Sequence, residues 1–264
     1  MLAIIIPYYK IDFFEETLKS VAAQSEKRFV LHIGNDASLN DPTPLMEKYF
    51  PERNYFYYAY KENVGRENLA LHWKRILDNV TEEWFQILGD DDVLSKNFVQ
   101  EFYAVLPEVR KKNINIIKTG LLWIDEKNNV IENNVYEFNI IAAQELFIKK
   151  YRGEIRSSLS ENIYKTKLAK KYKFEQLPLA WGTDDLSLLS FSENGFIQYI
   201  AKPLLYIRVS QQSISGSIGL NEEKELAYFH FKEKLFTLYS KMAATGISVK
   251  RNFEIYRSML CEGL

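Results

Sequence analysis

The sequence predicts an α/β protein: a mostly parallel sheet with helices on both faces. Short apolar runs alternate with segments of helical periodicity through the first half of the chain. Strand–helix alternation at that spacing builds parallel sheets. Three of the apolar runs end in polar clusters, at residues 7–10, 34–38 and 89–92. Ligands bind such sheets beyond the carboxyl ends of the strands, so these clusters are expected to meet on one edge.

Residues 2–6 (LAIII) form an apolar run ended by Pro7, which suits a buried parallel strand. Asp12 stands three residues before Glu15, a capping-box spacing, and Leu18, Val21 and Ala22 give the helix that follows an apolar face. Residues 28–33 (RFVLHI) read as a second strand, ending in GNDAS. Residues 43–49 read as a short helix and 54–60 (NYFYYAY) as a third strand. Residues 66–79 are helical through Leu69, Trp73, Ile76 and Leu77, and 84–88 (WFQIL) are a fourth strand that runs into Gly89, Asp90, Asp91 and Asp92. In the second half, 114–124 suggest a strand pair, and 126–130 (EKNNV) a turn whose Asn128 and Asn129 tolerate positive φ. Residues 142–151, 165–172 and 184–194 read as helices, and 196–200 and 203–209 as strands. Residues 221–243 predict an amphipathic helix through Leu226, Phe229, Leu235, Phe236, Tyr239 and Met242. No internal repeat or linker composition interrupts the chain.

Composition narrows the function classes. The 264 residues are 47% apolar and 26% charged, the balance of a globular protein able to bury a sizeable core. A net charge of −1 argues against nucleic acid as a partner, so an anionic substrate must be met by local groups. A single cysteine, Cys261, allows no disulfide within the chain and fits a reducing compartment. The histidines His32, His72 and His230 are not at metal-ligand spacing, which argues against a zinc site, and no nucleophile elbow supports a Ser-His-Asp triad. No secretory leader and no run of about 20 apolar residues is visible. The expected location is the cytoplasm, including the inner face of the plasma membrane.

The acidic run carries the chemistry. Like charges held together after a buried strand raise one another's pKa, and a divalent cation removes that penalty. Mg²⁺ takes one or two protein carboxylates and fills its shell with water and substrate phosphates. The plainer reading is a solvated turn in which Asp92 or Ser95 caps a helix starting near Lys96.

ILGDDDVL resembles the metal-binding segment of the family 2 glycosyltransferases, an apolar strand followed by D-x-D-D. Gly89 stands where the family has its first Asp, and Asp91 and Asp92 align with the later ones. IIIPYYK resembles the family's opening strand and P-T-Y-N turn through Pro7 and Tyr9, with Tyr8 and Lys10 departing. IGNDAS resembles V-D-D-G-S through Asp36 and Ser38, and ENVGRENLAL resembles N-x-G-x-x-x-A/N through Asn63, Gly65 and Asn68. WGTDDLSLL is similar to the family's E-D or D-D pair at a helix start, matched by Asp184 and Asp185. PLLYIRVSQQSISGS resembles a later segment through Arg208, Ser213 and Ser215, without the histidine many members have there. The resemblance covers roughly residues 2–215.

It implies a GT-A fold, with a nucleotide-sugar-binding half over 1–110, an acceptor half over 111–215 and a helical extension over 216–264. It further implies that Pro7 and Tyr9 lie against the nucleotide base, that Asp36 accepts a hydrogen bond from it, and that Arg66 reaches the nucleotide or diphosphate. Asp91 is the first choice for a Mg²⁺ or Mn²⁺ ligand, with Asp92 and Asp90 in the same metal cluster and Asp90 also toward the nucleotide or sugar. Asp185, beside Asp184, is implied as the base that activates the acceptor hydroxyl in an inverting displacement. Trp181 is a candidate to stack on a sugar, and Arg208 and Ser213 to contact substrate. The expected partners are a UDP-sugar donor and a glycan or lipid-linked glycan acceptor in capsule or lipopolysaccharide synthesis, with peripheral membrane association and a homodimer as further expectations. Two other readings stand beside it. One is a non-catalytic nucleotide-sugar-binding module. The other is a haloacid-dehalogenase-like phosphohydrolase, whose D-x-D-x-T/V motif DDDVL approaches.

Overall fold

The computed structural model describes residues 1–193, 195–210 and 221–244. Chain order runs β1 (Leu2–Tyr8), α1 (Phe14–Ala22), β2 (Phe29–Asn35), α2 (Thr43–Tyr49), β3 (Tyr55–Ala59), α3 (Leu69–Leu77), β4 (Trp84–Ile87), β5 (Val93–Leu94), α4 (Phe98–Lys111), β6 (Ile116–Ile124), β7 (Val130–Asn134), β8 (Ile140–Ala142), α5 (Ala143–Tyr151), β9 (Asn162–Lys165), α6 (Thr166–Tyr172), a 3-10 turn (Pro178–Ala180), α7 (Thr183–Phe191), β10 (Phe196–Arg208) and α8 (Asn221–Ala244).

One sheet holds the strands in the order β3-β2-β1-β4-β9-β6-β10-β5, with β7 beside β6 and β8 beside β10. Parallel pairing joins β3, β2, β1 and β4, and again β6 to β10. The order reverses at β1: β2 and β3 build outward on one side, and β4 returns to the other. That switch opens a crevice past the carboxyl ends of β1 and β4, where ligands of open α/β sheets bind. The register puts Tyr8 beside Asn35 and Ile5 beside Ile87, so the three polar clusters that follow these strands share an edge, as their sequence positions predict.

Alternation along β1 explains the two apolar layers. Leu2, Ile4, Ile6 and Tyr8 pack with Phe14, Leu18, Phe98 and Phe102 of α1 and α4, while Ala3 and Ile5 face Trp73, Ile76 and the α5–α7 side. Both layers are buried, which is why β1 reads as a continuous apolar run.

Several elements differ from the sequence reading. Residues 196–208 are a single strand, irregular around Lys202 and Pro203, where pairing to β6 shifts register. Residues 116–124 are one strand, antiparallel to both β7 and β9, so the turn over 126–130 joins separate elements. β9 lay unread in a polar stretch, yet it bridges β4 and β6 antiparallel and joins the two halves of the sheet. Asp12 does not cap α1: Phe13 is the N-cap with no side-chain bond, and Glu15 pairs with Lys48 and Tyr49 instead. Asn97, not Asp92 or Ser95, stands at the N-cap of α4, again without a side-chain bond.

In α8 the packing stripe is Ala227, Phe231, Leu235 and Tyr239, a four-residue ladder that meets Phe147, Leu177, Leu186 and Leu189. Leu226, Phe229 and Phe236, read as part of the buried face, are 52%, 58% and 51% exposed on the other side. The helix has two apolar stripes, and the one with the small Ala227 allows close approach. Gly182 marks that approach: its φ is +80°, and an added Cβ would stand 2.6 Å from the Phe231 ring. Gly182→Ala should therefore lose about 2 kcal/mol or more through left-handed strain plus overpacking. Gly153→Ala, at φ +70° with open space around it, should lose about 1 kcal/mol from strain alone. Denaturant unfolding of the two variants compares them, and equal losses would mean that α8 does not seat on Gly182.

Candidate active site

The acidic turn after β4 ties the carboxyl edge together. Asp90 Oδ2 accepts the backbone N–H groups of Tyr9 (2.8 Å) and Lys10 (2.7 Å), so it clamps the turn after β1. Its carbonyl accepts the Thr17 hydroxyl of α1. Asp92 points inward: Oδ1 accepts the Arg208 N–H (3.1 Å) and Oδ2 the Ser160 hydroxyl (2.9 Å). Asp91 has no side-chain partner from another residue among the described residues, and it lines a cavity of about 600 Å³. Burial raises the pKa of all three, and the Asp91 charge raises those of its neighbours further, Asp90 to about 6 and Asp92 to about 8. Gly89 is required here, since a Cβ would fall 2.8 Å from Asp92 Oδ2. A carboxylate at this position would displace the inward turn of Asp92.

The three aspartates thus do not form the shared metal cluster expected from the sequence. Among the described residues, no three His, Cys, Asp or Glu side chains gather to hold a metal. The physical reason is that Asp92 turns both carboxylate oxygens to protein donors and Asp90 turns Oδ2 to the backbone after β1. Arg208 also differs from its expected substrate role. It is 1% exposed, and its guanidinium donates to the Asp91 and Asp125 carbonyls and to Glu16 while lying over the Phe13 ring. It is a strut beneath the acidic turn. Ser213 and Ser215 lie outside the described residues.

At the β2 end of the cavity, Pro7, Tyr9, Asp36 and Arg66 come together. Asp36 is buried and already accepts the N–H groups of Val64 (3.0 Å) and Gly65 (2.7 Å) and the Arg75 guanidinium. A carboxylate offers about four acceptor positions, so roughly one remains. Arg75, missed in the sequence, stacks on Tyr60 and donates Nε to His72 Nδ1 (3.0 Å). His72 Nε2 must then donate to the Gly34 carbonyl (3.1 Å), and burial holds its pKa down, to about 4. The Arg66 side chain is exposed and has no partner among the described residues, whereas its backbone N–H is held by Asn63.

A second cavity, of about 530 Å³, adjoins the first and holds Asp184, Asp185 and Trp181. The two share Leu69, Trp73, Ser158, Leu159 and Leu179 as a common wall. Asp184 and Asp185 occupy the first turn of α7 behind an N-cap at Gly182 that makes no side-chain bond, so neither Thr183 nor Asp184 caps the helix. Lys150 of α5 reaches both carboxylates, 3.0 Å from Asp184 Oδ2 and 2.7 Å from Asp185 Oδ1. Burial, with the Asp184 charge second, raises Asp185 to about 6 against the opposing pull of Lys150. Trp181 is 38% exposed, and Lys224 lies over its ring. Leu179 and Ala180 hold left-handed φ of 55° and 52° in this wall, strained conformations that need surrounding support.

The wall is held from below by a buried ion pair that sequence reasoning also missed. Glu161 accepts Lys118 Nζ (2.6 Å), the Ser157 hydroxyl (2.8 Å), the Ser158 hydroxyl (2.7 Å) and the Ser158 N–H (2.8 Å). This fixes the turn that carries Ser160 to Asp92. The run RSSLSEN, dense in hydroxyls around one acid, was the available signal. Lys150 gave none, since a lysine in the last turn of an exposed-looking helix is ordinary.

The model for glycosyl transferase family 2 matches residues 3–118. No curated protein matches the chain. Among solved structures, S. aureus TarS 1–349 in complex with UDP-GlcNAc is similar at 16% identity and TM-score 0.70, over 91% of this chain and 66% of that one. The same fragment in complex with UDP gives 16% identity and TM-score 0.64, over 96% and 74%. S. aureus TarS gives 16% identity and TM-score 0.63, over 91% and 43%, so this chain spans less than half of its length. At such identity the likeness bears on the fold, here the GT-A type.

Lys118→Met should destabilise the protein by about 3–5 kcal/mol, because it leaves Glu161 charged and buried without its ammonium. The double variant Lys118→Met with Glu161→Gln should recover part of that loss in urea unfolding, and purely additive losses would show that the two are not coupled.

Proposed function

We propose, from the match of the glycosyl transferase family 2 model to residues 3–118 and from the GT-A type fold, that the chain moves a sugar from a UDP-sugar to a hydroxyl of a glycan or lipid-linked glycan. The observation that supports this best is the pair of cavities sharing one wall, with the unengaged Asp91 in one and the Asp184/Asp185 pair in the other. A donor and an acceptor held there would meet across residues 158–159. Binding of UDP-GlcNAc and UDP by the similar TarS fragment favours a uridine nucleotide.

In this reading the base lies against Pro7 and Tyr9, with the remaining acceptor position of Asp36 for its imide N–H. Arg66 and Lys10 line the same cavity and meet the diphosphate. The acidic turn fits Mg²⁺ or Mn²⁺ in one respect: Asp91 has a free carboxylate, and such ions need only one or two from the protein. Asp91 would hold the ion and Asp90 would lie on the donor side. When bound, the ion supplies positive charge against the departing nucleoside diphosphate. Asp185 takes the proton of the acceptor hydroxyl as that oxygen attacks the anomeric carbon, and the nucleoside diphosphate departs from the opposite face with inversion. Trp181 offers an aromatic face to the acceptor sugar.

The product in this reading is a surface polysaccharide such as capsule or lipopolysaccharide, made at the cytoplasmic face of the membrane. No helix among the described residues is long and apolar enough to cross a bilayer. In this reading association is peripheral, with the apolar outer stripe of α8 available to a lipid surface or a second copy.

Transfer assays on Asp185→Asn test the proposal. The variant should lose roughly 10²- to 10⁴-fold in kcat while UDP-sugar still raises its melting temperature as in the parent protein. Full activity in the variant would remove Asp185 as the base. Donor binding without transfer in the parent would favour a binding module, and release of inorganic phosphate through a trapped phosphoenzyme would favour a phosphohydrolase.

A further inference from the structure

Lys150 belongs to α5, an element that supplies none of the groups assigned to the transfer so far. Its ammonium nevertheless ends between the two carboxylates at the start of α7 and lines the same cavity. It takes Asp185 through Oδ1 alone, and Oδ2 has no protein partner among the described residues. Oδ1 and Oδ2 are therefore inequivalent: one is committed to the ammonium and the other is left for a ligand. We propose that Lys150 is the positioning residue of the transfer, a single ammonium that bridges Asp184 and Asp185, fixes the Asp185 carboxylate by one oxygen and leaves the other for the acceptor hydroxyl. This rests on the reading of Asp185 as the base.

The electrostatics agree with the geometry. Two adjacent carboxylates in a largely buried site repel each other, and burial disfavours their charge. Burial and the Asp184 charge push the Asp185 carboxyl up, to about 6, and Lys150 pulls against them. The other groups facing this turn are few. Lys118 of β6 acts on Asp185 from a distance while bound to Glu161. Tyr164 of β9 is buried, with its phenol pKa raised. Arg156 lines the cavity but pairs with Glu132 over the Trp123 ring. Lys224 of α8 lies on Trp181, and Lys170 and Lys171 of α6 are turned to the Val80 carbonyl and to Glu193. Lys150 is the cation in direct contact with both carboxylates.

Loss of the ammonium should raise the pKa of the base, because an opposite charge at this range lowers a carboxylate by roughly 1–3 pH units. A base with a raised pKa is protonated over more of the neutral range. The test is the pH profile of kcat/KM for the full chain and for Lys150→Met and Lys150→Arg, with a carboxyl ¹³C NMR titration of aspartate-labelled protein alongside. In Lys150→Met the acid limb should move upward by roughly one pH unit or more, with activity largely regained at alkaline pH, and Lys150→Arg should return the limb toward its original position. The NMR titration reads the same shift at Asp185 without turnover. A shifted titration with no transfer in any variant would sink the reading of the site as a transferase and leave the bridge standing. An unmoved titration and acid limb in Lys150→Met would overturn the bridge, as would activity lost equally at every pH.

Discussion

Three carboxylates in a row at the end of a buried strand set the main constraint on this molecule. Water cannot solvate them fully, and each raises the cost of charging the next. The fold answers by giving two of them internal work. Asp90 takes the backbone of the turn after β1, and Asp92 takes Arg208 and Ser160. The first ties β4 to β1, and the second ties β4 to β10 and to the wall before β9. The middle residue, Asp91, is the one left over. The same bonds that close the carboxyl edge of the sheet therefore determine which carboxylate is available to a ligand.

The supports of this turn are themselves buried charges. Arg208 reaches from the end of β10 to the Asp91 carbonyl and to Glu16 of α1, so segments far apart in sequence hold one turn. Lys118 and Glu161 fix residues 157–160, which form part of both cavities. Buried pairs of this kind add little net stability and are costly to break. Their effect here is geometric: they fix where the wall between the two cavities stands. The acid pair on α7 follows the same pattern, with its cation coming from α5.

Much of the fold was legible because apolar alternation and strand-end polarity are local signals. LAIII, RFVLHI and WFQIL reveal themselves by composition, and their ends by the polar residues that follow. β9 did not, because Asn162 and Lys165 break the apolar run and find partners as distant as Lys118 and Asn115. The side on which α8 packs was equally hidden, since two apolar stripes compete and a glycine forty-nine positions upstream decides between them. For the candidate site, residue types were legible and their partners were not. Nothing local separates Asp91 from Asp92, and Arg208 reads as a ligand contact until its three acceptors are seen. Lys150, Arg75 and Glu161 act through residues between 3 and 43 positions away.

The central proposal is that Asp91, the member of the acidic run with no side-chain partner from another described residue, meets a cation and the diphosphate it accompanies. Electron paramagnetic resonance of free Mn²⁺, titrated with the protein in the presence and absence of UDP, tests this directly. The account predicts that the parent protein removes Mn²⁺ from solution together with UDP and that Asp91→Asn does not, while its far-ultraviolet circular dichroism is unchanged. Undiminished uptake of Mn²⁺ and UDP by Asp91→Asn would contradict it.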